Sequence, residues 1–201
     1  GFQGGNVLEP AMGVGNFFGR MPEEMQKNSR LYGVEIDSIS GRIAQKLYPD
    51  ADIAIQGFEK NNFQNGCFDV AVGNVPFGEL SFKDDKHGTT KLHDYFFSET
   101  LDKVKDGGIV AFVTSAGTLD KRDESTRKAL AEKADFIGAI RLPGGKNGAF
   151  KSNAGTEVTT DIIFLQKNEH KVPDPEKETW ISIGETDESL PINRYFAENP
   201  N

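Results

Sequence analysis

Seven short apolar runs punctuate this chain, each closed by a turn residue or by a stretch of mixed polarity. They are Val7–Glu9, Leu31–Ile36, Ala51–Ile55, Phe68–Val72, Ile109–Thr114, Phe136–Leu142 and Thr160–Gln166. Runs of this length that are bounded by turn signals read as strands. Phe68–Val72 is nearly all apolar, as a central strand covered on both faces must be. Between the runs lie stretches with helical character: residues 16–26 after a glycine turn, Asp37–Leu47 with Asp37 as N-cap, His93–Val104, and Glu124–Lys133. His93 and Asp94 read as caps for their helix, and Gly107-Gly108 closes it.

Strand alternating with helix predicts an α/β fold: a doubly wound, mostly parallel, seven-stranded sheet with helices on both faces. The last two runs have no helix between them. A parallel pair needs a long crossover, so the sheet should end in an antiparallel strand. This differs from the six parallel strands of a dinucleotide-binding fold. Residues 1–167 form the predicted catalytic domain. Residues 168–201 read as an acidic linker and C-terminal extension, with Pro173 and Pro175 among many charges.

Composition narrows the classes. The chain has 201 residues and a formal net charge of -8. Residues 168–201 hold eight acidic and three basic residues, which leaves the remainder close to neutral. A strong basic face of the kind that grips nucleic acid is not evident. No apolar run is long enough to span a bilayer, so no membrane partner is expected. Cys67 is the only cysteine, which excludes an internal disulfide. One cysteine and three scattered histidines (His87, His93, His170) do not make a metal site. A cytoplasmic location is the default expectation.

The first turn with chemistry follows the first strand, in Glu9-Pro10-Ala11-Met12-Gly13-Val14-Gly15-Asn16-Phe17. Gly13 and Gly15 let the backbone approach a ligand closely. The spacing Gly-x-Gly-x-x-x-Gly is one residue longer than the dinucleotide fingerprint. Glu9 ends the strand and can counter a cationic ligand. S-adenosylmethionine carries a sulfonium and an ammonium, so an acid suits it better than it suits a pyrophosphate. Glu35 ends the second strand, where a carboxylate can accept from both hydroxyls of a ribose, with Ile36 beside it. Nicotinamide cofactors use the same device, so Glu35 alone does not choose between them. After the third strand, Phe58 can contact an adenine face and Glu59 its amino group. The predicted cofactor set is thus Glu9, Pro10, Met12, Gly13, Gly15, Glu35, Ile36, Phe58, Glu59 and Asn74. Phe17 and Phe18 read as core.

The second turn follows the fourth strand: Gly73-Asn74-Val75-Pro76-Phe77-Gly78. An exocyclic amine that accepts a methyl group must pyramidalise toward the donor. Two acceptors on its N–H bonds favour that shape. Asn74 supplies a side-chain carbonyl, and Val75 supplies a backbone carbonyl held by Pro76. Phe77 offers a flat face for a base. Asn74, Val75, Pro76 and Phe77 are therefore the predicted catalytic residues.

These two turns, with Ala139-Ile140-Arg141-Leu142-Pro143, resemble the N6-adenine DNA methylase region of large methylase–helicase proteins of phages, plasmids and conjugative elements. The two turns also resemble the wider class of amino-methyltransferases that use S-adenosylmethionine, whose catalytic turn is Asn-Pro-Pro-Tyr/Phe or a close variant. Here Val75 replaces the first proline but keeps the backbone carbonyl. The resemblance implies a class I methyltransferase, Rossmann-like fold. It implies S-adenosylmethionine as cofactor and DNA, with the target base flipped out, as partner. It also implies a fused helicase-like region in the full-length protein and a missing N-terminal segment that helps cover the cofactor. Phe150 stands where related enzymes stack a Phe on the flipped base, or else it anchors its loop. Lys83, Lys86, His87 and Lys91 lie on a loop that either closes over substrate or stays solvated. Arg141 serves a phosphate contact or a strand-end ion pair.

Three readings stay open beside adenine in DNA: methylation of RNA adenine or protein glutamine, a non-catalytic binding fragment, and a nicotinamide-dependent oxidoreductase. The last gives Asn74–Phe77 no role.

Overall fold

A computed structural model describes residues 1–76, 81–84, 88–145, 148–149, 158–174, 176–186 and 189–200. Seven strands make one sheet: β1 (Asn6–Glu9), β2 (Arg30–Glu35), β3 (Asp52–Ile55), β4 (Phe68–Asn74), β7 (Val104–Ser115), β8 (Ala134–Leu142) and β9 (Thr160–Lys167). Their spatial order is β3-β2-β1-β4-β7-β9-β8. The pairs β1–β2, β2–β3, β1–β4 and β4–β7 are parallel, while β9 runs antiparallel to both β7 and β8. The expected antiparallel end is therefore present. A hairpin, β5 (Ser81–Asp84) with β6 (Gly88–Lys91), follows the β4 turn, and a second small hairpin pairs β10 (Ile183–Glu185) with β11 (Pro191–Asn193).

Alternation along the strands sends successive side chains to opposite faces, and each face has its own core. Val7 packs with Met12, Phe18, Leu31, Ala44 and Ile53, under helices α1 (Asn16–Arg20) and α3 (Ser38–Leu47). Its neighbour Leu8 turns the other way, to Phe68, Phe97, Leu101, Phe112 and Ile163, under α4 (Leu92–Lys103) and α6 (Ser125–Ala131). Sheet and helices thus bury both faces, as a doubly wound fold requires.

Two local expectations are corrected, one is met and one open choice is decided. The single helix over 16–26 is two, α1 and α2 (Glu23–Lys27), because Pro22 lacks the N–H that a continuous helix needs. Asp37 does cap α3, accepting from the Ser40 N–H at 2.8 Å. His93 and Asp94, by contrast, are not caps. Lys91 precedes the helix, and both side chains are buried beneath it, Asp94 paired with Lys121 and Thr126. Arg141 takes the ion-pair role: its guanidinium grips both oxygens of Asp161, at 2.8 and 2.9 Å, and Asp120 at 2.9 Å.

The segment expected as an acidic linker and extension folds back on the sheet instead. Trp180 is buried and stacks on Phe136 of β8, centroids 4.9 Å apart. Asn193, fully buried, donates to the carbonyls of Leu119 and Trp180 and caps α7 (Arg194–Glu198) by accepting from Tyr195. Arg127 on α6 donates to three carbonyls, those of Ile181, Lys121 and Thr118. Desolvation lowers the Arg127 pKa from its ordinary value, and nearby carboxylates offset part of that. Short α5 (Gly117–Asp120) is the element that the segment grips.

Candidate active site

The sheet order reverses between β1 and β4, and a crevice opens where adjacent strands lead their chains apart. The β1–β4 pairing ends at Leu8 opposite Ala71. Beyond it β1 turns off at Pro10, while β4 continues beside β7 as far as Asn74, opposite Val113. Glu9 and Asn74 therefore stand on neighbouring strands at the same end of the sheet. Glu35 is one strand further out, at the end of β2.

The cofactor half is tightly built. Gly13 and Gly15 both adopt left-handed backbone, φ +56° and +85°, which a side chain would strain. Nothing lies within 4 Å of where a Cβ on Gly13 would sit, so the turn opens outward there. At Gly15 the ring of Tyr48 would be struck. The Tyr48 hydroxyl donates to the Gly15 carbonyl at 2.7 Å, and its ring meets Phe18 edge-on. The Gly13 N–H donates to one oxygen of Glu35 and the Asp37 N–H to the other, each at 2.7 Å. Glu35 is thus fixed by the glycine turn on one side and the start of α3 on the other. Each of its oxygens keeps a further lone pair for an incoming hydroxyl.

Glu9 is 2% exposed, and its Oε2 has no hydrogen-bond partner among the described residues. Burial pushes its carboxyl up to about 8, against backbone N–H groups of Phe18 and Phe17 that pull it down; the Glu35 charge adds a little more. A buried carboxylate with an open oxygen is costly unless a cation arrives. The fit to a sulfonium-bearing, ammonium-bearing cofactor is chemical as well as positional.

The other cofactor candidates separate into three kinds. Ile36 is 75% exposed at the lip, free to lie against a planar group. Pro10 and Met12 contribute backbone to the turn. The Met12 side chain belongs to the core, packed against Gly33, and its N–H donates to the Val34 carbonyl. Phe58 does not offer its ring to the crevice. It is buried and stacked on Phe96, centroids 5.2 Å apart, because the strand end turns it under α4. Glu59 is exposed and folds back over Gly57.

On the substrate half, Asn74 is exposed at the end of β4, with no side-chain partner among the described residues. Val75 is buried, and its N–H donates to the Val113 carbonyl at 3.1 Å. That bond extends the β4–β7 ladder by one residue and fixes where the Asn74 side chain starts. Pro76 is half-buried. Phe77 and Phe150 lie outside the described residues, as do Lys86 and His87. Lys83 is exposed on β5. The described residues contain no group of side chains able to hold a metal ion, and none of their helices is long and apolar enough to cross a membrane.

Tyr48 went unnoticed in the sequence. It sits at the far end of α3, and no periodicity links it to a glycine thirty-three residues earlier.

Comparison with known proteins follows the same outline. Residues 2–193 match the family described as N-6 DNA Methylase. The chain is 35% identical over 171 residues to the defense against restriction protein B of Escherichia phage P1, covering 82% of this chain and 7% of that protein. It is 30% identical over 174 residues to the type II methyltransferase M.CvrRI of Paramecium bursaria Chlorella virus XZ-6E, 83% of this chain and 43% of that one. The chain therefore spans less than half the length of the curated relatives it matches. Among solved structures, the type I restriction-modification methyltransferase subunit of Streptococcus thermophilus superposes with a TM-score of 0.66 at 19% identity. That superposition covers 84% of this chain and 41% of the subunit. The fold is that of the class I S-adenosylmethionine-dependent methyltransferases.

Proposed function

This chain belongs to the N-6 DNA methylase family, and we propose that it transfers a methyl group from S-adenosylmethionine to the exocyclic N6 amine of adenine in DNA. One observation carries the reading. An exposed amide (Asn74) and a buried carboxyl with one open oxygen (Glu9 Oε2), neither matched among the described residues, end adjacent strands at the point where the sheet order reverses.

The cofactor, when bound, supplies an electrophilic methyl on a positively charged sulfur. The chain supplies the rest. Glu9 compensates the incoming positive charge. Glu35 accepts from ribose hydroxyls with the lone pairs left over by Gly13 and Asp37. Gly13 permits close approach, and Ile36 lies against the base. Asn74 and the Val75 carbonyl accept the two N–H bonds of the adenine amine, which turns its lone pair toward the donor. Preorganised acceptors of this kind act where charge develops and need no rearrangement during the step. No side chain need remove a proton before transfer, because the amine gains its positive charge as the bond forms and sheds a proton afterwards. In this reading Phe77 and Phe150 stack on a base swung out of its helix.

Residues 1–167 are the catalytic unit and 168–201 its docked extension. We also read the full-length protein as cytoplasmic and as carrying a helicase-like region. The relative from phage P1, a protein named for defence against restriction, is matched over 7% of its own length, which leaves room for further regions.

The test is transfer of tritiated methyl by the full-length protein to unmethylated DNA, to RNA and to protein, followed by nucleoside analysis of the labelled product. Label in N6-methyladenine from DNA is expected. Label confined to RNA or to glutamine would replace the proposal.

A further inference from the structure

Helix α3 is built inside out. Its sheet-facing side is made of small residues: Gly41 and Ala44 are buried, and a Cβ on Gly41 would come within 2.8 Å of Ile55 on β3. Its large apolar residues point the other way, with Ile39 61%, Ile43 45% and Leu47 58% exposed. Those three recur every four residues, so they form one stripe roughly 12 Å long on a single face. A shallow groove of about 590 Å³ runs along the stripe, lined also by Arg42, Gln45 and Lys46. Scattered exposed apolar residues need no explanation, but an aligned set on one helix face does. The fold does not need it, since α3 is seated by its small side on the outermost strand, β3.

Charge says what suits the stripe. Helix α3 carries Arg42 and Lys46 beside it and no acidic residue from 38 to 47, in a chain whose net charge is -8. Asp37 is occupied as the N-cap, and Asp50 and Asp52 lie beyond the far end of α3. Arg42 uses its Nε on the Ser38 carbonyl and leaves its outer nitrogens in solvent.

We propose that the outer face of α3 docks an amphipathic α-helix of a partner protein, with an apolar i, i+4 stripe and acidic flanks. Leucine-type side chains fill the groove along Ile39, Ile43 and Leu47, and carboxylates on the partner meet Arg42 and Lys46. The stripe uses none of the side chains assigned to methyl transfer, although α3 begins beside Glu35.

The experiment titrates the protein with two synthetic fluorescein-labelled helical peptides. Both carry leucines at i, i+4 spacing; one is flanked by glutamate and the other by lysine. Anisotropy and methyl NMR read the binding. The glutamate peptide should bind, with shifts centred on Ile39, Ile43 and Leu47. Ile43→Asp should weaken it by about tenfold or more, from loss of one buried aliphatic contact. Because residue 43 is on the solvent side, the variant should keep the wild-type melting curve. A double variant, Arg42→Glu with Lys46→Glu, should reverse the preference toward the lysine peptide and leaves the apolar stripe intact. Binding of neither peptide, equal binding of both, or shifts elsewhere on the fold would overturn the proposal. So would concentration-dependent self-association that Ile43→Asp removes, which would assign the stripe to a second copy of this chain.

Discussion

The two halves of the crevice are finished to different degrees. On the β1–β2 side nearly every polar group is spoken for. Glu35 holds two backbone N–H groups, Tyr48 holds the Gly15 carbonyl, and Met12 is bonded to Val34. On the β4 side the ladder to β7 runs through Val75 and then leaves Asn74 exposed, its amide unmatched among the described residues. A site that binds one constant cofactor profits from being preformed, since ordering it on binding would weaken affinity. A site that must act on a group changing shape profits from acceptors whose bonds form only in the transition state. Glu9 is the exception on the finished side: its Oε2 is left without a partner among the described residues.

That contrast is sharpest at Asn74. Asn74→Ala should lower kcat by roughly a thousandfold, the scale of removing one preorganised polar group from a transition state, with cofactor affinity almost unchanged. Single-turnover kinetics beside calorimetry would separate the two quantities. Glu35→Ala should do the opposite: cofactor affinity falls by about a hundredfold, since two turn anchors and the ribose contacts go together, while kcat at saturation stays near wild type. Equal loss of cofactor binding in both variants would erase the distinction between the halves.

Glu9 adds a pH signature with opposite signs for the free and the bound protein. Its folded carboxyl titrates near 8, above its ordinary 4.5. Below pH 4.5 it is protonated in folded and unfolded chains alike. Between 4.5 and 8 only the unfolded chain ionises, so the free protein loses stability as pH rises, by up to about tenfold in the folding constant per unit. A cationic cofactor needs the carboxylate, so its affinity should climb over pH 6 to 8. Thermal melts across pH 5–9, with and without S-adenosylmethionine, would show both trends, and Glu9→Gln should flatten both. The smallest effect belongs to Tyr48→Phe. Loss of the bond to Gly15 should cost about 1 kcal/mol of stability and weaken cofactor binding a few-fold, read by denaturant titration and calorimetry.

Much of the scaffold was legible in the residues. Near-continuous apolar strands announce a sheet covered on both sides, and the lack of a helical pattern in the sequence between the last two apolar runs announces their antiparallel pairing. The glycine turn and the exposed Asn74 stand where strand ends put them. The direction of a side chain just past a strand end was not legible. Phe58, in Gly57-Phe58-Glu59, reads as a surface for a base, and packing under α4 puts it in the core instead. Nor did Tyr48 show itself, because its partner is distant along the chain. The acidic composition of the stretch hid its anchors: Trp180 follows a charged run and Asn193 is itself polar, and only the receiving surface around Phe136 and Arg127 explains them.

That anchoring has a practical meaning for anyone trimming the protein. The loop that leaves the end of β7, next to the strand bearing Asn74, is stitched to the distal segment by Arg127 and Asn193. The family match itself stops at residue 193. A shortened version ending before Ile181 would strip the buried guanidinium of one of its carbonyls, and one ending before that asparagine would remove the bonds that hold Leu119 and Asp120. Expression boundaries and fusion joints therefore belong downstream of α7, even though the composition invites a cut near residue 168.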